Sequence, residues 1–147
     1  MISTENPKGT IVITSGYFDP LHVGHIEYLE LAKHWGDYLI AIVNNNNQAL
    51  LKSGGFLMDQ FDRLKIVGSL GIVDSAHLSI DKGQSVKDTV AYLRQQYPDN
   101  KMIFANGGDR PSEGLEETQV CADGGIELID GLGDKIRSSS DFRNYSV

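Results

Sequence analysis

Ser15-Gly16-Tyr17-Phe18-Asp19-Pro20-Leu21-His22-Val23-Gly24-His25 joins two stretches of different periodicity, and the change across it decides the fold. On its N-terminal side, Ile11-Val12-Ile13-Thr14 is a short β-branched run closed by Ser15-Gly16, the pattern of a strand buried on both faces. On its C-terminal side, Ile26, Leu29, Ala32 and Trp35 recur at helical spacing with Glu27, Glu30 and Lys33 between them. That helix is predicted to start near His22 to Gly24 and to stop at Gly36. The two histidines therefore fall on the first turn of a helix that follows a buried strand.

The position has a chemical use. The first N–H groups of a helix lack internal partners and the helix dipole is positive there, so this end attracts phosphate. Gly24 leaves room for close approach, while His22 and His25, three residues apart, both offer ring N–H groups to phosphate oxygens. Taken alone, H-x-x-H also fits half of a metal site or two solvated residues at a helix start. The metal reading lacks partners in the sequence: there is no H-E-x-x-H, Cys121 is the single cysteine, and His34 and His77 belong to unrelated segments.

At 147 residues the chain reads as one domain over 1–147 with a loose lead-in over 1–9. A chain of this size buries roughly 68–70% of the surface it exposes when unfolded. One cysteine and the absence of a cationic, apolar leader point to a reducing cytoplasm, and no run has the length of a membrane span. Thirteen basic against twenty acidic residues give a net charge of -7, which argues against a general nucleic-acid surface and leaves small anionic substrates open.

Apolar runs return at intervals that fit alternating strands and helices, without internal repeats. Tyr38 to Val43 reads as a second buried strand, and Asn44 to Asn47 as the loop that ends it. Asn44 is also a candidate nucleotide contact, because ligands of open α/β sheets gather at the carboxyl ends of strands. Lys52 follows on a segment loosened by Gly54 and Gly55. Asp59 is placed to cap a helix running through Phe61, Leu64 and Val67 to Gly71. A short strand over Ala76 to Ile80 comes next, with His77 read as structural. Ser85 and Asp88 open a further helix that Pro98 stops. Met102 to Ala105 is another buried strand, ending in Asn106-Gly107-Gly108-Asp109-Arg110. A helix near Glu113 to Ala122 and a strand over Ile126 to Ile129 complete the pattern, with Lys135-Ile136-Arg137-Ser138-Ser139-Ser140 beyond. Five buried strands alternating with helices predict a single Rossmann-like, doubly wound α/β domain with a five-stranded parallel sheet.

Gly16 to His25 resembles the signature of the cytidylyltransferase-like nucleotidyltransferases, which include glycerol-3-phosphate and choline-phosphate cytidylyltransferases and heptose-1-phosphate adenylyltransferases. The resemblance spans about Ile11 to Phe142. It implies transfer of a nucleoside monophosphate from CTP or ATP to a phosphorylated sugar, polyol or similar small acceptor, with release of pyrophosphate, Mg²⁺ on the triphosphate and a homodimeric assembly. It also implies roles. His22, His25, Lys52 and Arg137 would stabilise the transferring phosphate. Gly16, Tyr17, Phe18, Asp19, Gly24, Asn44, Arg63, Gly108, Asp109, Ser138, Ser139 and Ser140 would bind or support the nucleotide. Gly107-Gly108-Asp109 is similar to the G-G-D of the heptose-phosphate enzymes, and the three serines to the family's final phosphate-binding signature. Arg110 and Arg137 depart from it, standing where the family usually has an aromatic residue and isoleucine.

Apart from that resemblance, two neighbours stay in view. A regulator of the same fold that binds nucleotide without turnover would keep the pocket and release no pyrophosphate. A dinucleotide oxidoreductase would need G-x-G-x-x-G in the first turn, which is missing.

Overall fold

The computed structural model describes residues 7–107 and 116–132. The chain runs β1 (Ile11–Gly16), α1 (Val23–Lys33), β2 (Tyr38–Val43), α2 (Asn46–Ser53), α3 (Gln60–Gly68), β3 (Ser75–Leu78), α4 (Lys87–Gln96), β4 (Met102–Gly107), α5 (Glu116–Gly124) and β5 (Glu127–Leu132). All strand pairs are parallel, and the sheet order is β3-β2-β1-β4-β5. This is the five-stranded doubly wound sheet expected from the sequence.

Strand alternation divides the core into two. Ile11, Ile13, Ile40, Ile42, Met102 and Phe104 face one side, against Val90 and Leu93 of α4 and Cys121 of α5. Val12, Leu39, Ala41, Val43 and Ile103 face the other, against Leu29 and Ala32 of α1 and Val67 of α3. Each fully buried side chain of this size contributes about 1.5–3 kcal/mol. Strands buried on both faces have no polar alternation, which is why β1, β2 and β4 read as continuous apolar runs.

The strand order reverses between β1 and β4, the crevice where ligands of this architecture bind. The two strands pair at Ile11↔Met102, Val12↔Ile103 and Ile13↔Phe104, and no pairing continues past Ile13. Beyond that point the hydroxyl of Tyr28 on α1 accepts from the Ser15 N–H at 3.4 Å and donates to the Ala105 carbonyl, bridging the gap. Among the described residues no helix is long and apolar enough to cross a membrane.

Two local expectations need correction. Asn46 and Asn47 are helical, not loop: Asn45 caps α2 by accepting the Gln48 N–H at 2.9 Å, and Gln48 reaches back to the Asn45 N–H. Lys52 consequently stands on the last turn of α2, and the chain reverses after it at Gly54, whose φ of 78 suits a residue without Cβ. Ser85 sits one residue before the N-cap of α4, which is Val86 and has no side-chain cap. The Ser85 hydroxyl accepts the Lys87 N–H at 3.3 Å, Asp81 accepts from Asp88 and Thr89, and Glu117 of α5 accepts from Val86. At the start of the described residues, the Pro7 and Gly9 carbonyls accept from Asn100.

Candidate active site

The site grows from the end of β1. Gly16 is required there because a Cβ would stand 2.9 Å from Cζ of Phe18, whose ring folds back over the strand end. Phe18 takes the left-handed backbone (φ 52) and is 1% exposed. Its burial holds a conformation that costs a bulky residue about 1–3 kcal/mol. The Phe18 ring meets His25 edge-on, with centroids 5.1 Å apart. Asp19, followed by a cis bond to Pro20, accepts from the Leu57 and Met58 N–H groups at 2.9 and 2.7 Å. The loop is thereby fastened to the segment entering α3.

His22 is the N-cap of α1, and its Nδ1 accepts the Gly24 N–H at 3.1 Å. His25 returns the favour: its Nδ1 accepts the His22 N–H at 3.1 Å. The rings stack with centroids 3.8 Å apart and planes inclined by 29°. A backbone N–H always donates, so each Nδ1 is unprotonated and each neutral ring carries its proton on Nε2. The arrangement presents two N–H donors at a helix N-terminus. Burial, then His22, then Lys52 push the His25 pKa down to about 4, so that this ring is a neutral donor at pH 7.

Lys52 joins the group from α2, its ammonium 4.4 Å from the centroid of the Tyr17 ring. Asn44 lies 2% exposed at the end of β2, its N–H donating to the Gly16 carbonyl at 2.9 Å. Its amide donates to Gln48 at 3.2 Å, while its side-chain oxygen is buried without a hydrogen-bond partner among the described residues.

Arg63 is fully buried. Its guanidinium donates to the carbonyls of Met58 (2.8 Å), Tyr17 (2.8 Å) and Asn44 (2.6 Å) and to the Asn46 side chain (3.0 Å). It ties the carboxyl ends of β1 and β2 from beneath. Burial holds its pKa below the ordinary value, with Asp19 and Asp59 acting in the opposite direction. Arg63, expected from the sequence to bind or support the nucleotide site, hydrogen-bonds to the segments that end β1 and β2.

Gly16, Tyr17, Phe18, Asp19, His22, Gly24, His25, Asn44, Lys52 and Arg63 thus converge at the carboxyl ends of β1 and β2. Gly108, Asp109, Arg137, Ser138, Ser139 and Ser140 lie outside the described residues. Sequence reasoning missed Gln48, whose amide donates to the Gly83 and Ser85 carbonyls at 2.8 and 3.0 Å and ties α2 to the loop after β3. The spacing Asn45-x-x-Gln48 is a capping-box pattern and carried the signal. Tyr28 was missed as well, since a tyrosine on the inner face of a helix looks like ordinary core. His77 is half-buried and within 3.3 Å of Ser75 on β3, with its pKa lowered by burial.

A family model described as Cytidylyltransferase-like matches residues 13–119. The bifunctional protein HldE of Geobacter metallireducens is 31% identical over 134 residues, covering 88% of this chain and 26% of that protein. HldE of Shewanella sp. (strain ANA-3) is 33% identical over 138 residues, covering 91% and 27%. The chain spans about a quarter of the length of these relatives. The lipopolysaccharide core biosynthesis protein from Thermoplasma volcanium superposes with a TM-score of 0.66 at 24% identity, over 85% of this chain and 98% of that one. Nicotinic acid mononucleotide adenylyltransferase of Plasmodium falciparum, complexed with NaAD, gives 0.56 at 13% identity, over 93% and 83%. At these identities the two structures bear on the fold alone.

Proposed function

The chain belongs to the cytidylyltransferase-like family, and from that premise we propose that it transfers a nucleoside monophosphate from CTP or ATP to a phosphorylated sugar, polyol or similar small acceptor. An acceptor phosphate oxygen attacks the α-phosphorus of the triphosphate. The bond from that phosphorus to the bridging oxygen breaks, and its electrons leave with pyrophosphate. No protein nucleophile is needed, because transfer of this kind rests on positioning and charge stabilisation.

The observation that carries this reading is the histidine pair. Two stacked imidazoles with both Nδ1 atoms engaged by backbone N–H carry their ring protons on Nε2, at a helix N-terminus. A neutral His25 gives a hydrogen bond that strengthens as charge grows on the α-phosphate oxygens. Lys52 supplies a mobile positive charge for the outer phosphates, and Arg63 and Asp19 hold the loop in register. By resemblance, Arg137 and Ser138 to Ser140 add to the phosphate site, and Gly108 and Asp109 to the ribose or acceptor side.

On the resemblance, a Mg²⁺ would enter on the triphosphate, whose oxygens suit a hard cation. Bound there, it neutralises phosphate charge. A homodimer is proposed on the resemblance, and light scattering at micromolar concentration checks it.

A pyrophosphate-release screen of CTP and ATP against sugar-, polyol- and choline-phosphates tests the reading. Release dependent on one nucleotide and one acceptor class is the expected result. Nucleotide binding without release from any pair would make the chain a regulator of the same fold.

A further inference from the structure

Among the described residues Tyr17 is held at three points. Its carbonyl accepts from Arg63 at 2.8 Å, its hydroxyl donates to the Gln48 main-chain oxygen at 3.4 Å, and its ring carries the Lys52 ammonium 4.4 Å from the centroid. Gln48 and Lys52 are four residues apart on α2 and share one face, so the Tyr17 ring lies along that face and joins the signature loop to the helix. The ammonium also stands at the C-terminal end of α2, where unsatisfied carbonyls favour a cation. Lys52 is exposed and its stem is a flexible four-carbon chain, so the head group can leave the ring without disturbing the helix.

An aromatic face attracts an ammonium less strongly than a phosphate oxyanion does. A cation held on a ring of the signature stretch that also carries His22 and His25 is therefore poised to exchange the ring for an anion. We propose that Tyr17 is a positioning residue: its ring holds Lys52 beside His22 and His25 in the nucleotide-free protein and releases the ammonium to the phosphates of an incoming nucleoside triphosphate. The proposal deepens the transferase reading and rests on it only in taking the ligand to be a triphosphate.

Reductive ¹³C-dimethylation keeps lysine charge and makes ring currents visible by NMR, with Lys52→Arg assigning the resonance. The Lys52 signal is expected upfield of the other lysines in the wild type, retained there in Tyr17→Phe and lost from there in Tyr17→Leu. Titration with ATP and separately with CTP should move the wild-type signal out of the ring current for at least one of them. An unshifted wild-type signal, or a shifted one that neither nucleotide moves, overturns the proposal. On unmethylated protein, Tyr17→Leu should strengthen affinity for the responding nucleotide by up to about fivefold, since a contact made only in the nucleotide-free protein opposes binding, and should change it much less in a Lys52→Met background. Weakening, or an equal change in both backgrounds, would assign Tyr17 to structure and overturn the positioning role. A wild type that shows the hand-off yet releases no pyrophosphate with any acceptor supports this proposal while defeating the transferase reading.

Discussion

His22 and His25 stack at 3.8 Å between ring centroids, and each gives its Nδ1 to a backbone N–H at 3.1 Å. One pair of contacts thus does two jobs: it caps α1 and fixes which ring nitrogen carries the proton. The helix start is at once a structural terminus and a donor pair.

Removing His25 should separate those jobs. His25→Ala is expected to lower kcat by about 10²–10³ while triphosphate affinity changes much less, since a bond that tightens in the transition state appears in turnover. The lost cap should cost about 1 kcal/mol of stability, which urea denaturation reads independently. A folded His25→Ala protein that keeps most of its kcat would remove His25 from the transition state.

Stability should depend on pH in a direction set by the depressed His25 pKa. The unfolded ring, near 6.5, binds protons that the folded ring, down to about 4, refuses. Its contribution is therefore complete above 6.5 and is lost as pH falls from 6.5 through 4. His77, lowered by burial, adds to the same slope. The His25 share is the difference between wild type and His25→Gln in urea midpoints measured across that window. Parallel curves would show that His25 titrates normally in the folded state.

Arg63 should be essential to the fold around the site. Truncation to Ala leaves the carbonyls of Tyr17, Asn44 and Met58 buried without their donors, a loss expected to cost about 3 kcal/mol or more. Arg63→Lys should not restore it, because one ammonium cannot span the positions that a planar guanidinium serves. Chemical denaturation of both variants gives the answer, and a loss below about 1 kcal/mol would refute the buried clamp.

Tyr28→Phe keeps the packing of the ring and deletes the bridge from Ser15 to Ala105 across the strand switch. The expected cost is about 1–2 kcal/mol, with hydrogen exchange accelerating at Ser15. Unchanged protection at Ser15 would mean that the hydroxyl adds little to holding β1 and β4 in register.

Turnover should require a divalent cation, since a chain of net charge -7 brings few positive groups to a triphosphate. Excess chelator is expected to abolish pyrophosphate release and added Mg²⁺ to restore it. Undiminished release in chelator would place the neutralising charge on the protein alone.

What the sequence determined by itself is local or periodic. Continuous apolar runs at Ile11, Tyr38 and Met102 announce strands buried on both faces, because such strands have no polar side. The spacing of Ile26, Leu29 and Ala32 announces the helix that puts His22 and His25 on a first turn. Tertiary structure decided what spacing does not encode, namely which distant groups meet. Arg63 finds the Tyr17 and Asn44 carbonyls 46 and 19 residues away because β1 and β2 end side by side. Asp19 captures the Leu57 and Met58 N–H groups across similar separations. The four asparagines read as a loop because asparagine is a poor helix former, and they became a cap and a helix start once Gln48, Gln60 and Arg63 supplied partners for Asn45 and Asn46. A buried donor takes whichever acceptor the packed strands leave open, and that choice exists only after the sheet has formed.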